Sequence, residues 1–325
     1  MRVELSPPSS TTAVYADFYN LHADAGTEPA DNTARQSNIN QVASYIATWS
    51  AGNAVLILGD TNSRYSRTVD TAIRALLSTG HTDPWVEFQR SNIPPTAESF
   101  CSNPSTTNAC ETVDKIFYRS SPLVSLSAES FSYASSLFLQ ADGVSVLSDH
   151  NPVHANFTWS SSAVPLRQSP FWGGPHGNWF SDVPTLSTLV SSSSQRKTKP
   201  SVITFRGGSR LDGVSVTLST STAGGASTTT KLTHGGTGGT AVSLTLAENE
   251  FWTSAQLCQS QKDNRTRIFY IKAMTSTGRS LAAGSVAGDC VTYSAPTDGG
   301  AWQIVGFLGQ DGAEVDQLGF VYALR

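Results

Sequence analysis

The 325-residue sequence predicts two domains of different classes, a layered α/β domain followed by an all-β domain. Three observations predict it. The length is about twice the roughly 150 residues of a typical domain. A Ser/Pro-rich stretch over residues 160–170 divides the chain, so the domains are expected at 1–159 and 171–325 with a linker between. Across that stretch the apolar spacing changes from mixed helical and strand periods to strand alternation alone. Charged residues make up 14% of the chain, well under the roughly 25% of an average soluble domain. That composition excludes a disordered charged tail and a basic nucleic-acid-coating protein. No apolar run approaches the roughly 18 residues that span a bilayer.

In chain order, Ala13–Leu21 reads as a strand. Arg35–Trp49 reads as a helix, because Ile39, Val42, Tyr45, Ile46 and Trp49 recur at helical spacing. Ala54–Leu58 is a short buried strand running into Gly59-Asp60-Thr61-Asn62, and Val69–Leu77 is a second helix. Val113–Tyr118 and Val144–Leu147 are expected as further strands, which gives the order of a layered α/β domain. Beyond the linker, 202–208, 211–220, 241–247, 267–275, 301–309 and 316–324 alternate apolar and polar residues between Gly-rich turns. Gly208–Asp212 and Gly312–Asp316 share the pattern G-x-x-x-D, a faint repeat that suggests a threefold-like arrangement of sheets.

Four small motifs in the front domain carry chemistry: Asn20-Leu21-His22, Gly59-Asp60-Thr61-Asn62, Asp114–Arg119 and Ser148-Asp149-His150. Each is expected at a strand end, where catalytic groups converge on one rim of an α/β sheet. Asp60 and Asp149 can hold a hard cation through oxygen. His150 can act as a general base with a carboxylate orienting its other nitrogen. Asn62 and His22 can hold or protonate phosphate oxygens. Together they suit metal-assisted attack of water on a phosphoester. Each motif also has a structural reading, since Gly-Asp-Thr-Asn is a common turn and Ser-Asp-His a capping or Asx turn. Asp114 is equally suited to an ordinary ion pair, and His81 and His154 are read as structural. Residues 1–170 carry a net charge of −6 and residues 171–325 one of +2. An acidic domain repels phosphate unless a bound cation reverses the local sign.

The runs Tyr19–Gly26, Leu58–Tyr65, Val113–Arg119 and Leu147–His150 together resemble the second half of an endonuclease/exonuclease/phosphatase domain, the superfamily of deoxyribonuclease I and the sphingomyelinases. The resemblance implies a partial α/β four-layer sandwich. It implies that His22 contacts the scissile phosphate and assists the leaving group. Asp60 and Asn62 would position nucleophile, metal and phosphate. Asp114 would orient His150, His150 would activate water, and Asp149 would bind Mg2+ or Mn2+. The family's first half supplies an Asn and a metal-binding Glu that nothing before His22 provides. A half-sheet with an unpaired strand edge and an apolar face is therefore expected. Phosphodiesterase activity is expected to be absent or badly weakened, with an active enzyme on nucleic acid or a phospholipid head group as the alternative.

The C-terminal segment places a Gly-rich loop at Phe171–Asp182 and a second at Gly306–Gly319. Backbone N–H groups and one carboxylate can fix vicinal sugar hydroxyls without a metal. A single G-x-x-x-D is otherwise a plain hairpin turn. Trp172-Gly-Gly, Ile203–Ser215, His234–Gly239, Ala247–Glu250, Thr275–Arg279 and Val305–Gly319 resemble a jacalin-type lectin domain from end to end. The resemblance implies an all-β β-prism of three Greek-key sheets. It also implies a sugar site joining Gly174 to Gly312, Ala313, Glu314, Val315 and Asp316, with Asp316 taking two hydroxyls. A second sugar site is implied at Gly208, Asp212, Gly235 and Gly236. Because another domain precedes the lectin, a free N-terminal glycine is excluded, which favours mannose/glucose over galactose recognition. The expected partners are glycans or glycoconjugates, and a phosphoester for the front domain.

Cys101 with Cys110, and Cys258 with Cys290, can each close a loop within one domain, the alternative being four free thiols. The sequons Asn156-Phe-Thr and Asn264-Arg-Thr favour an oxidising, extracellular setting. The first 25 residues lack the basic start and apolar block of a signal peptide, so a secreted form is expected to have a leader outside this chain.

Overall fold

The computed structural model describes residues 1–6, 10–190, 196–222 and 225–325. It forms two compact units, one of Met1–Val3 with Tyr15–Ser161 and one of Glu4–Val14 with Ser162–Arg325. The first unit is built on a four-stranded sheet ordered β1 (Arg2–Glu4), β2 (Tyr15–Asn20), β3 (Ala54–Asp60) and β4 (Asp114–Arg119). Strands β2 and β3 are parallel, joined by helix α1 (Pro29–Trp49), whereas β3 and β4 are antiparallel. Helices α2 (Thr71–Ser78) and α3 (Pro84–Arg90) lie in the connection to β4, and a hairpin of β5 (Val124–Tyr133) and β6 (Val153–Ser161) forms a separate sheet. Ile39, Ile46, Val55, Ile57, Ile73 and Phe117 belong to one core cluster.

Helix α1 begins six residues before the apolar pattern does. Pro29 occupies its first position, where a missing N–H is harmless, and the Asp31 carboxylate accepts the Glu28 N–H at 3.1 Å. Arg35, fully buried on this helix, is ion-paired to Asp70 at 3.1 Å just before α2. Helix α3 is too short for periodicity to reveal; Asp83 starts it by accepting the Trp85 N–H at 2.8 Å. The expected strand Val144–Leu147 does not form. Asp142 accepts the N–H groups of Val144 and Ser145 and turns the chain, leaving Val144 and Leu147 exposed. Strand β1 covers one side of β2, where Arg2 forks onto Asp17 at 2.8 and 3.0 Å, and the sheet remains open, ending at β1 and β4.

The prism strands of the second unit start inside the expected linker, at β7 (Leu166–Gln168), whose residues pair with the end of the chain. It continues through β8 (Trp172–Gly173), β9 (Asn178–Ser181), β10 (Arg196–Gly207), β11 (Leu211–Thr222), β12 (Ser227–Gly235), β13 (Thr240–Thr245), β14 (Trp252–Lys262), β15 (Arg265–Thr275), β16 (Ser280–Gly284), β17 (Asp289–Ser294), β18 (Trp302–Asp311) and β19 (Val315–Leu324). One short helix, α4 (Val183–Leu189), departs from the all-strand expectation. The strands form three sheets: β12-β11-β10-β13, β16-β15-β14-β17, and β7-β19-β18-β9 with β8 also on β19. Each sheet sends aromatics to a common core, Trp252 meeting Phe205, Phe307 and Phe320 with ring centroids 6.0, 5.7 and 5.8 Å away. The result is a three-sided β-prism. Both cysteine pairs are disulfides, Cys101–Cys110 in the first unit and Cys258–Cys290 across β14 and β17 in the second.

Candidate functional site

In the first unit the β3–β4 register places Asp60 directly opposite Asp114. One residue ends its strand and the other begins its own, so antiparallel pairing puts both carboxylates on one rim. Gly59 makes that rim possible. Its φ is +130°, and a Cβ there would stand 2.1 Å from the Leu21 carbonyl oxygen. Asn62, with φ of 47°, turns back so that its N–H and side-chain amide donate to the two oxygens of Asp60 at 2.8 and 3.2 Å. The amide also donates to the Ala23 carbonyl at 2.9 Å, tying in the segment that carries His22.

His150 completes the group, with Nδ1 2.8 Å from an Asp114 oxygen and Nε2 3.9 Å from Asp60. His22 Nε2 lies 3.5 Å from the same Asp60 oxygen on a largely exposed ring. Burial pushes the Asp114 carboxyl up despite its bond to His150, and that bond raises the His150 imidazole despite partial desolvation. Asp60, Asp114 and His150 offer ligand atoms within 4.8 Å of one another, a donor set that suits a divalent cation. The expected ligand Asp149 is exposed and lies outside that trio. The Ser148–His150 motif precedes β6 in a loop rather than following a strand. An open cleft of about 290 Å³ runs beside it, lined by Gly59, Asp114, Ser148, His150 and Asn151.

In the second unit the two G-x-x-x-D loops are built alike. Gly208 N–H donates to Arg210 O at 3.1 Å, and Gly312 N–H to Glu314 O at 3.0 Å. A Cβ on either first glycine would meet nothing within 4 Å, so both loops open outward. Each Asp carbonyl receives the second glycine of a Gly-Gly pair: Gly174 N–H to Asp316 O at 3.0 Å, and Gly236 N–H to Asp212 O at 2.7 Å. The third sheet repeats the contact with Ser285 N–H on Phe269 O at 2.9 Å. Phe269 thus stands where the other two sheets hold aspartate.

The residue two before each of these positions is charged, and the three meet. Glu314 is ion-paired to Arg210 and lies 3.5 Å from Arg267 and from Lys262. Arg267 also reaches Asp316 at 2.7 Å. Burial pushes the Asp316 carboxyl up, with Arg267 acting against it. Ala313 and Val315 frame the loop: Val315 is buried, and the Ala313 carbonyl would stand 2.0 Å from a Cβ on Gly236. Arg210, Lys262 and Arg267 were missed by sequence reasoning, because charges on two separate hairpins, converging on Glu314 of a third, carry no local signal of convergence.

A layered α/β sheet with a carboxylate–imidazole rim, and a three-sheet prism with paired Gly-Gly and G-x-x-x-D loops, make up a two-domain protein with one candidate site in each domain. Residues 3–156 match the Endonuclease/Exonuclease/phosphatase family 2 model, and residues 169–321 match the Jacalin-like lectin domain. The chain therefore carries an endonuclease/exonuclease/phosphatase domain followed by a jacalin-like lectin domain. The curated sphingomyelinases of Mycobacterium tuberculosis and Mycobacterium bovis are 38% identical to it over 151 residues, 46% of this chain. The matched stretch spans 29% of the length of those relatives. Among solved structures, the mannose-binding jacalin-related lectin of Ananas comosus aligns at 16% identity with a TM-score of 0.39, covering 50% of this chain and 99% of that one. The mannose-specific lectin of Morus nigra aligns at 23% and 0.38, covering 48% and 94%.

Proposed function

We propose that glycan binding by the C-terminal prism is the principal activity, and that the front domain is a metal-dependent phosphodiesterase site of weak turnover. The observation that carries the first part is the duplicated loop geometry, in which two Gly-Gly amides meet the carbonyls of two nearly buried aspartates, Asp316 and Asp212. Asp316 and the Gly312 loop form one sugar site, and Asp212 with Gly235 and Gly236 a second. The Gly174 loop lies inside the chain and has no α-amino group, which supports mannose or glucose over galactose. The test is titration with methyl α-mannoside. Asp316→Asn is expected to weaken binding about 10- to 100-fold, since a charge-assisted hydrogen bond contributes roughly 1.5–3 kcal/mol. Unchanged affinity would remove Asp316 from the site.

In the front domain the short Asp114–His150 bond suits an oriented general base, with the free Nε2 facing Asp60. That assignment leaves Asp60 as the member of the trio to hold Mg2+ or Mn2+, with Asn62 fixing its oxygens. A bound ion would supply neutralisation of charge on the phosphoryl oxygens. His22 is placed to hold or protonate a phosphate oxygen. One carboxylate is a sparse anchor for an ion that prefers about six oxygen ligands, which supports weak turnover. The test is hydrolysis of bis(p-nitrophenyl) phosphate with magnesium or manganese against chelator, with His150→Ala as control. Robust metal-dependent turnover lost in the variant would make this chain an effective enzyme; none from folded protein would leave the lectin as its working part.

A further inference from the structure

The 19 residues between β5 and β6 carry His150, and most of their apolar side chains are exposed: Leu137, Phe138, Val144 and Leu147 lie in solvent. A connection of that length has a large conformational entropy to lose before His150 can meet Asp114. The segment around His150 is nevertheless held at both ends. Asn103 donates its side-chain amide to the Ser148 carbonyl at 2.8 Å. Asn151, buried, accepts from Ser105 N–H at 2.9 Å and from the Ser135 hydroxyl at 2.7 Å, and donates to the Ser102 carbonyl at 2.9 Å. Ser102, Asn103 and Ser105 all belong to the loop closed by the Cys101–Cys110 disulfide. That loop is itself fastened to β5, because Tyr133 donates its hydroxyl to the Cys110 carbonyl at 2.8 Å.

We infer that the disulfide-closed loop 101–110 is a brace for His150 and that Asn151 is its positioning residue. The loop grips Ser148 and Asn151 on either side of the Asp149–His150 pair and so fixes the imidazole against Asp114. Its catalytic consequence rests on the phosphodiesterase reading above, whereas the brace itself does not.

The experiment compares the intact chain with Asn151→Ala, Asn103→Ala and the double variant Cys101→Ser/Cys110→Ser by amide hydrogen exchange and by turnover of bis(p-nitrophenyl) phosphate. Exchange over 145–151 is expected to rise about tenfold, the scale of one lost buried hydrogen bond, while 54–60 and 114–119 keep their protection. Turnover is expected to fall in kcat with KM unchanged. A rise spread evenly over β3 and β4 would reduce the loop to a general stabiliser and overturn the proposal, as would unchanged exchange over 145–151. Asn103 is only half-buried, unlike buried Asn151, so Asn103→Ala decides the matter if Asn151→Ala fails to fold. If the parent chain shows no turnover, the phosphodiesterase reading fails and the exchange pattern still decides the brace.

Discussion

Gly59 shows how much of the candidate site depends on single residues. Its left-handed backbone lets β3 end in contact with the Leu21 carbonyl, and the next residue is Asp60. Gly59→Ala is expected to destabilise the front domain by at least about 1–3 kcal/mol, the usual scale of backbone strain at such positions. A lowered melting midpoint together with weaker manganese binding would check it. His81 gives a second prediction. Burial, and then the Arg119 charge, push its imidazole down to about 4. Between about 4 and the ordinary value near 6.5 the unfolded chain binds the extra proton and the folded one does not. The contribution of His81 is therefore complete above about 6.5 and declines as pH falls toward 4. His81→Gln should flatten that part of the stability profile measured by urea unfolding.

At the scale of elements, the turn before β14 joins two hairpins through one buried carboxylate. Glu250 receives Arg279, the hydroxyls of Thr275 and Thr277 at 2.5 and 2.6 Å, and the Ala247 N–H at 3.0 Å. The Arg279 guanidinium and the two hydroxyls hold its carboxyl well below the usual range, against the effect of burial. Stability from this group is present above about 4.5 and is lost as pH falls further. Glu250→Gln should lower the melting temperature at pH 7 and reduce its further fall between pH 5 and 3. Element identity was legible where pattern and packing agreed, as in β2, β3 and the alternating strands of the prism. It failed at Val144–Leu147, where four residues had the composition of a strand but pair with Leu139 through a single isolated bridge instead of joining a sheet. It missed α3, whose seven residues are specified by the Asp83 cap and Pro84 rather than by periodicity.

For the molecule as a whole, the prism draws its core from its own three sheets, so the lectin should not need the front domain. Residues 162–325 expressed alone are predicted to bind methyl α-mannoside within about twofold of the full chain, as expected of a domain with its own core. That piece loses the Ala13 N–H bond to Gln168, which lies at β7 and not at the Gly312 loop. A large loss of affinity in isothermal titration would show that residues 4–14 or the front domain shape the site.

The two-domain order, the class of each domain and the motifs that hold His22, Asp60, Asn62, Asp114 and His150 were legible in the sequence, since local motifs and alternation carry that information; the cysteine pairing, left open against free thiols, came from the structure. The sequence also placed both G-x-x-x-D loops. The resemblance already placed Asp114 against His150, and the structure brings the two together at 2.8 Å. That Asp149 lies exposed outside the trio emerges only from the fold, because where that side chain goes depends on a long loop. The fold alone brought Arg210, Arg267 and Glu314 together and put Phe269 in the third position. Those residues come from three sheets, and their meeting is fixed by the closure of the prism around Trp252, a packing event that no local stretch of sequence records.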